Sequence, residues 1–491
     1  MLHLPQRCSH HLLMGTFMTV LSLCIATGKS SVQAESLSST NNQNQISCAP
    51  PPRLLVTDYG VVGDGKTDDT VAMRRLLRTP SCSNNNTKDC PCHKHIVVPE
   101  GAIVMTFPLN MTSHTTLQVD GTLQAMANEA HWTIIPPNPI YGDSQDRGVY
   151  QYQGFLYAEH ATNIRVTGSG IIDGSGPYWW DLFHNAPQKL KAGRPNLFQT
   201  NNCTDIEIDS VTMKDAAFWT VHPMLSRNIY IHHMKIRAKM YAPNVDGIDP
   251  DSCQNVLIEY NDVSCGDDHI AIKSGGCGPN RPNNCMDPDW QYRVIHDHYV
   301  TRNVTVRHNI FRTGMGIAVG SDTSGGMKDV FIYNNTVGVC EAGHDDEHRS
   351  CGWGPALHLK TTLLRSNTID NIIFRDNIVY NTSMFIFVET DYQVREQDIP
   401  PHYNMTVVKN IVFENNQALG EAVGANFHCS KLDPCHEIRV VNNTIAKAAK
   451  NGRNPWGCQY IDSYHVGGNT PEGLEDCMAK SMSPTTAVLE E

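Results

Sequence analysis

Short runs of alternating polar and β-branched residues recur along this chain, most of them opened by an asparagine or an acid. The copies read Asn163-Ile164-Arg165-Val166, Asp205-Ile206-Glu207-Ile208, Asn228-Ile229-Tyr230-Ile231, Asn255-Val256-Leu257-Ile258 and Asn303-Val304-Thr305-Val306. They continue as Asp329-Val330-Phe331-Ile332, Asn371-Ile372-Ile373-Phe374, Asn410-Ile411-Val412-Phe413 and Glu437-Ile438-Arg439-Val440. Period-two alternation puts the apolar members on one face and marks strands. The tightest steps between copies are 23, 26 and 27 residues, and steps of 39 to 48 hold one coil plus a loop, or two coils. A unit that short cannot enclose a core, but stacked units that share an interior can, so the repeat predicts a solenoid. A leucine-rich horseshoe lacks its consensus here, and an immunoglobulin-like sandwich would space its strands more closely. The expected fold is all-β: a single-stranded right-handed parallel β-helix. The repeated asparagines are read as side chains that stack along its axis and fix tight turns.

The start of the solenoid has its own pattern. Asp58-Tyr59-Gly60 leads to Gly63-Asp64-Gly65-Lys66-Thr67-Asp68-Asp69, and a helical run from Thr70 to Arg78 follows. Thr67 or Asp68 can cap that helix. The expected role of the helix is to cover the open N-terminal end, where apolar strand edges would otherwise face water. Gly63 to Asp69 lacks the spacing of a phosphate loop. The organisation read from these signals is a signal peptide at 1–34, a polar linker at 35–52, the β-helix at 53–445 and a C-terminal tail or cap at 446–491.

Composition narrows the class. Leu12 to Ala26 is an uncharged apolar run, and Val32-Gln33-Ala34 offers a small-residue cleavage site. The run is shorter than the roughly 20 residues a membrane span needs, so a secreted, extracellular protein with no membrane contact is expected. Cysteine usage agrees with export. Loss of Cys8 and Cys24 takes the count from 17 to 15, an odd number that implies an unpaired thiol. Cys277 with Cys285, Cys340 with Cys351, and Cys429 with Cys435 are close enough in sequence to staple loops. Cys82, Cys90 and Cys92, next to His93 and His95, are read as disulfide cysteines, with a zinc site as the alternative. Eight N-x-S/T sequons occur, at Asn85, Asn110, Asn202, Asn303, Asn334, Asn381, Asn404 and Asn442. The formal charge is −12, and removing Arg7 and Lys29 with residues 1–34 makes it −14. That balance argues against a nucleic-acid partner. It also means that a polyanionic substrate would need cations placed locally.

The chemistry concentrates in two acidic clusters. The first is Asn244-Val245-Asp246-Gly247-Ile248-Asp249-Pro250-Asp251-Ser252, and the second is Cys265-Gly266-Asp267-Asp268-His269, followed by Ile270-Ala271-Ile272-Lys273-Ser274-Gly275. Asp246 and Asp267 are 21 residues apart, close to one repeat. Coils stack about 4.8 Å apart, so these carboxylates are expected to share one surface. Like charges held together raise at least one pKa. Glycoside hydrolysis needs that arrangement: one proton donor and one base that activates water.

At these residues the sequence resembles glycoside hydrolase family 28, the polygalacturonase family, over roughly residues 53–445. Asn244-Val245-Asp246-Gly247 is similar to the family's Asn-Thr-Asp-Gly pattern, and Gly266-Asp267-Asp268 matches Gly-Asp-Asp. Gly314-Met315-Gly316 falls at its Gly-His-Gly position, and His358-Leu359-Lys360 at Arg-Ile-Lys. The resemblance implies a pectin-lyase-like solenoid and single-displacement, inverting hydrolysis of α-1,4-linked galacturonan without a cofactor or metal. It also implies Asp267 as general acid, with Asp246 and Asp268 positioning and activating the water. Lys360, His358 and Asn244 would bind the polysaccharide, and Lys360 would take a galacturonate carboxylate. A monomer is expected. Two departures bear on rate and pH: Met315 stands where many members carry His, and His358 where many carry Arg. A protonated His358 could still pair with a carboxylate at acidic pH.

Two other readings use the same residues. In a calcium-dependent pectate lyase the aspartates would bind the ion. A degenerate member would bind cell-wall polysaccharide without cutting it. His269, His222, Trp219 and the Trp179-Trp180 pair are read at least as readily as packing groups as functional ones. The loops Cys277 to Tyr299 and Cys340 to Trp353 are long for the fold and would favour exo attack if they close one end of a cleft. Rhamnogalacturonan and xylogalacturonan stay open as substrates.

Overall fold

The computed structural model describes residues 53–79, 93–136, 150–276, 299–340, 351–365, 367–393, 406–420, 422–446 and 455–481. The stretches 1–52, 80–92, 277–298, 341–350 and 394–405 fall outside these residues. With them go the signal and linker readings, Cys82, Cys90, Cys92, Cys277 and Cys285, the sequons at Asn85 and Asn404, and most of the two long loops.

Strands of successive coils pair in parallel to build long sheets along one axis. Among the described residues the first sheet has thirteen strands, from Arg53–Leu55 at one end to Tyr464–Gly467 at the other, and the second has twelve, from Asp64–Asp68 to Thr444–Ile445. The third wall comprises a four-stranded and a six-stranded sheet. This is the parallel β-helix that the repeat predicted.

The repeat motifs are the strands of the first sheet, and their apolar members stack in register. Ile164, Ile206, Ile229, Val256, Val304, Val330, Ile372, Ile411 and Ile438 form one buried row. Full burial of each such side chain contributes about 1.5–3 kcal/mol. The opening residue of each motif is left-handed, from φ 53° at Glu437 to 59° at Asp205, Asp329 and Asn371. Asn and Asp tolerate that region best, which accounts for their recurrence. They also stack: Asn303 Nδ2 donates to Asn255 at 2.8 Å, Asn255 to Asn228 at 3.0 Å, and Asn228 to Asp205 at 2.9 Å.

A second, longer ladder runs inside the helix. Asn261, Asn309, Asn335, Asn377, Asn416, Asn443 and Asn469 are joined side chain to side chain at 2.9–3.2 Å. Each carboxamide also accepts from the backbone N–H of the residue one coil before it, as Asn377 does from Asn335 at 3.0 Å. Replacing Asn377 with alanine strands that buried N–H, at about 1–3 kcal/mol for each unsatisfied group. The expected result is a loss of about 2–4 kcal/mol in urea unfolding with the active centre unaltered.

Both ends are closed. The predicted N-terminal helix is present at Thr70–Arg78 and buries Met73, Leu76 and Leu77 in the common core. Asp68 bonds the Thr70 N–H at 2.9 Å, as a capping residue would. At the other end, Trp456–Gln459 and Tyr464–Gly467 add to the third and first sheets, so strand stacking runs past the boundary at 445. These late strands carry Trp, Gly, Tyr and His in place of the β-branched motif, which hid them in the sequence. A helix at Leu474–Ser481 follows, and Cys477 joins it to Cys458 by a disulfide. Disulfides Cys340–Cys351 and Cys429–Cys435 staple loops as the spacing suggested. Cys203, Cys253 and Cys265 are buried thiols.

Candidate active site

The third wall changes character at the acidic clusters. Its four-stranded part ends at Val221–Met224 and its six-stranded part begins at Ile270–Ile272. One coil, 244–251, lies between them and pairs only at single bridges: Val221 to Ile248 to Ile270, and Met224 to Asp251 to Lys273. Pro250 has no N–H to give to a ladder, but its carbonyl accepts from Lys273 N at 2.9 Å. The coil thus keeps its place without a regular strand.

Asp246 and the Asp267–Asp268 pair are therefore on adjacent coils of one wall. Gly247 N donates to the Asp268 carbonyl at 2.9 Å, and Gly266 N to that of Val245 at 3.2 Å. Burial, then the neighbouring carboxylates Asp249 and Asp267, push the Asp246 carboxyl well above its ordinary range. Burial does the same to Asp249, which is completely enclosed. Neither oxygen of Asp249 finds a donor among the described residues. A proton on Asp246 or Asp249 supplies the missing donor.

The two adjacent aspartates differ in environment. Burial and the charge of Asp268 push the Asp267 carboxyl up to about 6, with Lys360 acting in the opposite sense. Asp268 accepts a 2.7 Å bond from Lys360 Nζ. Burial works against the Lys360 charge, but Asp268 and the groups around it outweigh that and strengthen its hold on the proton. Lys360 reaches back two coils to make this contact, and Tyr392 presents its ring 5.4 Å from the same ammonium.

His358 and Asn244 are also on this wall, with different surroundings. His358 stacks on Phe387 at 5.2 Å, and its Nε2 stands 3.8 Å from Glu389. Burial lowers its pKa, so the expected pairing with a carboxylate requires acidic conditions. Asn244 is exposed, and its Oδ1 accepts from Arg194 at 3.2 Å. Arg194 is fully buried, bonds the carbonyls of Ala217 and Pro243, and so clamps the turn that delivers Asp246.

His269, His222 and the Trp179–Trp180 pair are held by contacts inside the protein. His269 accepts from Gly316 N at Nδ1 and donates from Nε2 to the Thr313 carbonyl at 2.9 Å, and burial lowers its pKa to about 4. It is a neutral brace for the loop that carries Met315. Trp179 is buried among Trp132, Tyr152 and Tyr178, and Trp180 Nε1 bonds the Ala216 carbonyl. His222 lies between Asn196 and Asp251, at 3.1 and 3.2 Å. His93 and His95 bond Thr116 and Gln118, at 2.7 and 2.8 Å.

Sequence reasoning missed Lys273, Asp322 and Arg365. Lys273 Nζ is 3.9 Å from Asp246 and 3.7 Å from Asp322, and Arg365 bonds Asp322 at 2.8 Å. Lys273 and Asp322 stand in stretches next to matched motifs and could be nominated on charge alone; Arg365 carries no comparable signal. Elsewhere, Glu207, Asp209 and His232 bring possible ligand atoms within 4.8 Å of one another, but Arg165 already bonds Asp209 at 2.8 Å.

Comparison with known proteins bears on this arrangement. A probable polygalacturonase of Vitis vinifera is 30% identical over 430 residues, covering 86% of this chain and 80% of the relative. An endo-polygalacturonase of Pectobacterium carotovorum subsp. carotovorum is 26% identical over 364 residues, 70% of this chain and 81% of that one. A hyperthermoactive exopolygalacturonase from Thermotoga maritima has a similar fold, with a TM-score of 0.67 at 24% identity over 86% of this chain and 91% of its own. Residues 90–467 match Glycosyl hydrolases family 28. With that match over most of its length, and with paired carboxyls gathered on one wall of a parallel β-helix, the chain belongs to glycosyl hydrolases family 28 and is a glycoside hydrolase.

Proposed function

We propose that this protein hydrolyses the α-1,4-galacturonosidic bonds of polygalacturonate, as a secreted monomer, by a single displacement that inverts the anomeric centre. Asp267 donates a proton to the leaving oxygen. Asp246 and Asp268 position a water on the opposite face of the sugar and take its proton. Lys360 binds a galacturonate carboxylate, with His358 and Asn244 contributing to the same groove.

The observation that carries this reading is the contrast between neighbours. Asp267 keeps its proton to about pH 6, while Asp268 beside it is bonded by an ammonium group. Environments that separate two adjacent carboxyls assign them to acid and base roles. The named relatives support galacturonan as the substrate. The three disulfides among the described residues suit an extracellular setting.

The test is product analysis on polygalacturonate in the presence of a chelator. New reducing ends without new ultraviolet absorbance are expected, with kcat/KM falling above about pH 6 as Asp267 loses its proton. Unsaturated products, or loss of activity on chelation, would point to a lyase. Binding without cleavage, unaffected by Asp267→Asn, would point to a polysaccharide-binding protein.

A further inference from the structure

Lys273 has no role in the mechanism above, yet it is among the most unusual charges in the molecule. It is 5% exposed, and no hydrogen bond from its Nζ is found among the described residues. Its nearest carboxylate oxygens, on Asp322 and Asp246, stand at 3.7 and 3.9 Å, beyond direct bonding. The face of Trp219 lies 4.3 Å from the ammonium. Burial opposes the charge, but Asp249, Asp322 and Asp246 outweigh it, so Lys273 holds its proton more firmly than a free lysine. A buried ammonium with three donors and no acceptor in bonding range is costly unless a ligand completes it.

Its position says which ligand. Lys273 and Lys360 occupy the same outward row of the third wall, two coils apart, with Gly320 between them. A Cβ at Gly320, where φ is +109°, would meet the Lys360 carbonyl oxygen at 1.7 Å, so no side chain fills the floor between the two cations. The lysines lean toward earlier coils: Lys360 reaches the Asp268 coil, and Lys273 reaches the coils of Asp246 and Trp219. Both act electrostatically on Asp267. A galacturonan chain laid along this row brings one carboxylate on each sugar, and the two sugars that share the scissile bond bring two.

We propose that Lys273 is a second carboxylate-binding cation, which takes the galacturonate on the opposite side of the scissile bond from Lys360. The inference rests on the galacturonan reading and extends it. Trp219 contributes an apolar wall that excludes water from the ion pair. Asp322, tethered by Arg365, keeps the lysine head in the cleft.

The test is titration of trigalacturonate and of its fully methyl-esterified form into wild type, Lys273→Met and Lys273→Arg. For Lys273→Met, Kd for trigalacturonate is expected to rise about 30-fold, in line with loss of one charge-assisted contact, and Kd for the ester by less than about threefold. Lys273→Arg should retain trigalacturonate binding to within about tenfold, which separates loss of charge from a failure to fold. Equal losses on acid and ester would make Lys273 a structural counter-ion and overturn the proposal, as would unchanged trigalacturonate binding in Lys273→Met. Wild type that neither binds nor cuts galacturonate would instead overturn the substrate reading itself.

Discussion

Asp267→Asn is expected to lower kcat on polygalacturonate by about 10³-fold or more while leaving substrate binding nearly unchanged, and to raise thermal stability at pH 7. The first effect follows from the loss of the only proton on the donor. General acid catalysis contributes about 10²–10⁴-fold, and asparagine keeps the shape of the carboxyl without its acidity. The second effect is a linkage consequence. The folded protein holds the Asp267 proton to about pH 6, above the ordinary value of 3.8. A raised carboxyl pKa favours the folded state most fully below the ordinary value, and that advantage is lost as pH rises through about 6. At pH 7 the wild type carries a half-buried anion beside Asp268, and the variant does not. Calorimetry should find the variant a few degrees more stable at pH 7, with the difference absent or reversed at pH 4. A variant that loses stability equally at both pH values would contradict the raised acid, and one that retains kcat would remove Asp267 from the donor role.

This result also bears on Met315. The resemblance implies a histidine at this position in many members. In this protein the raised pKa arises from burial first and from the charge of Asp268 second. Met315 still bonds the Asp267 carbonyl through its amide at 2.8 Å. The loop that imidazole would have occupied is braced from below by His269, at Thr313 and Gly316. The acid can therefore be kept protonated without a charged neighbour at 315.

The first sheet was legible in the sequence because its signal is repeated nine times and each copy has the same two constraints, an αL opening residue and inward β-branched side chains. The inner asparagine ladder is equally periodic, six residues after each opening position from Asn255 onward, but its surroundings do not mark it as a ladder. Those asparagines sit at the turns just before short second-sheet strands such as Asp262–Ser264 and Ile310–Phe311, whose two or three residues give no alternation to anchor a register. The acidic clusters were legible because one coil spans the step between them. The cations were not, apart from Lys360. A lysine's reach is several ångströms, so which coil its ammonium serves depends on packing: Lys273 is two residues beyond its strand neighbour Ala271 yet acts beside Trp219 and Asp246. Arg194 lies about fifty residues before the turn it clamps, two coils away, and no local pattern connects them.

Lys360→Met should be the most destabilising of the single changes near the cleft, and should also reduce kcat/KM on polygalacturonate by at least about 100-fold. Lys360 is bonded to Asp268 at 2.7 Å, and both side chains are almost wholly buried. Removing one member of such a pair leaves an uncompensated charge, at about 3–5 kcal/mol. Methionine preserves most of the stem, so the loss is electrostatic more than steric. Urea unfolding at pH 7 reads this deficit directly. The double variant Lys360→Met/Asp268→Asn should regain most of the lost stability at pH 7 because no unpaired charge remains, while its activity stays at or below that of the single variant. A deficit under about 1 kcal/mol in Lys360→Met would mean that water or another cation already compensates Asp268. Full rescue of activity by the double variant would mean that neither group acts on substrate or water. The expected split, stability restored and catalysis still absent, separates the pair's structural cost from its chemical use.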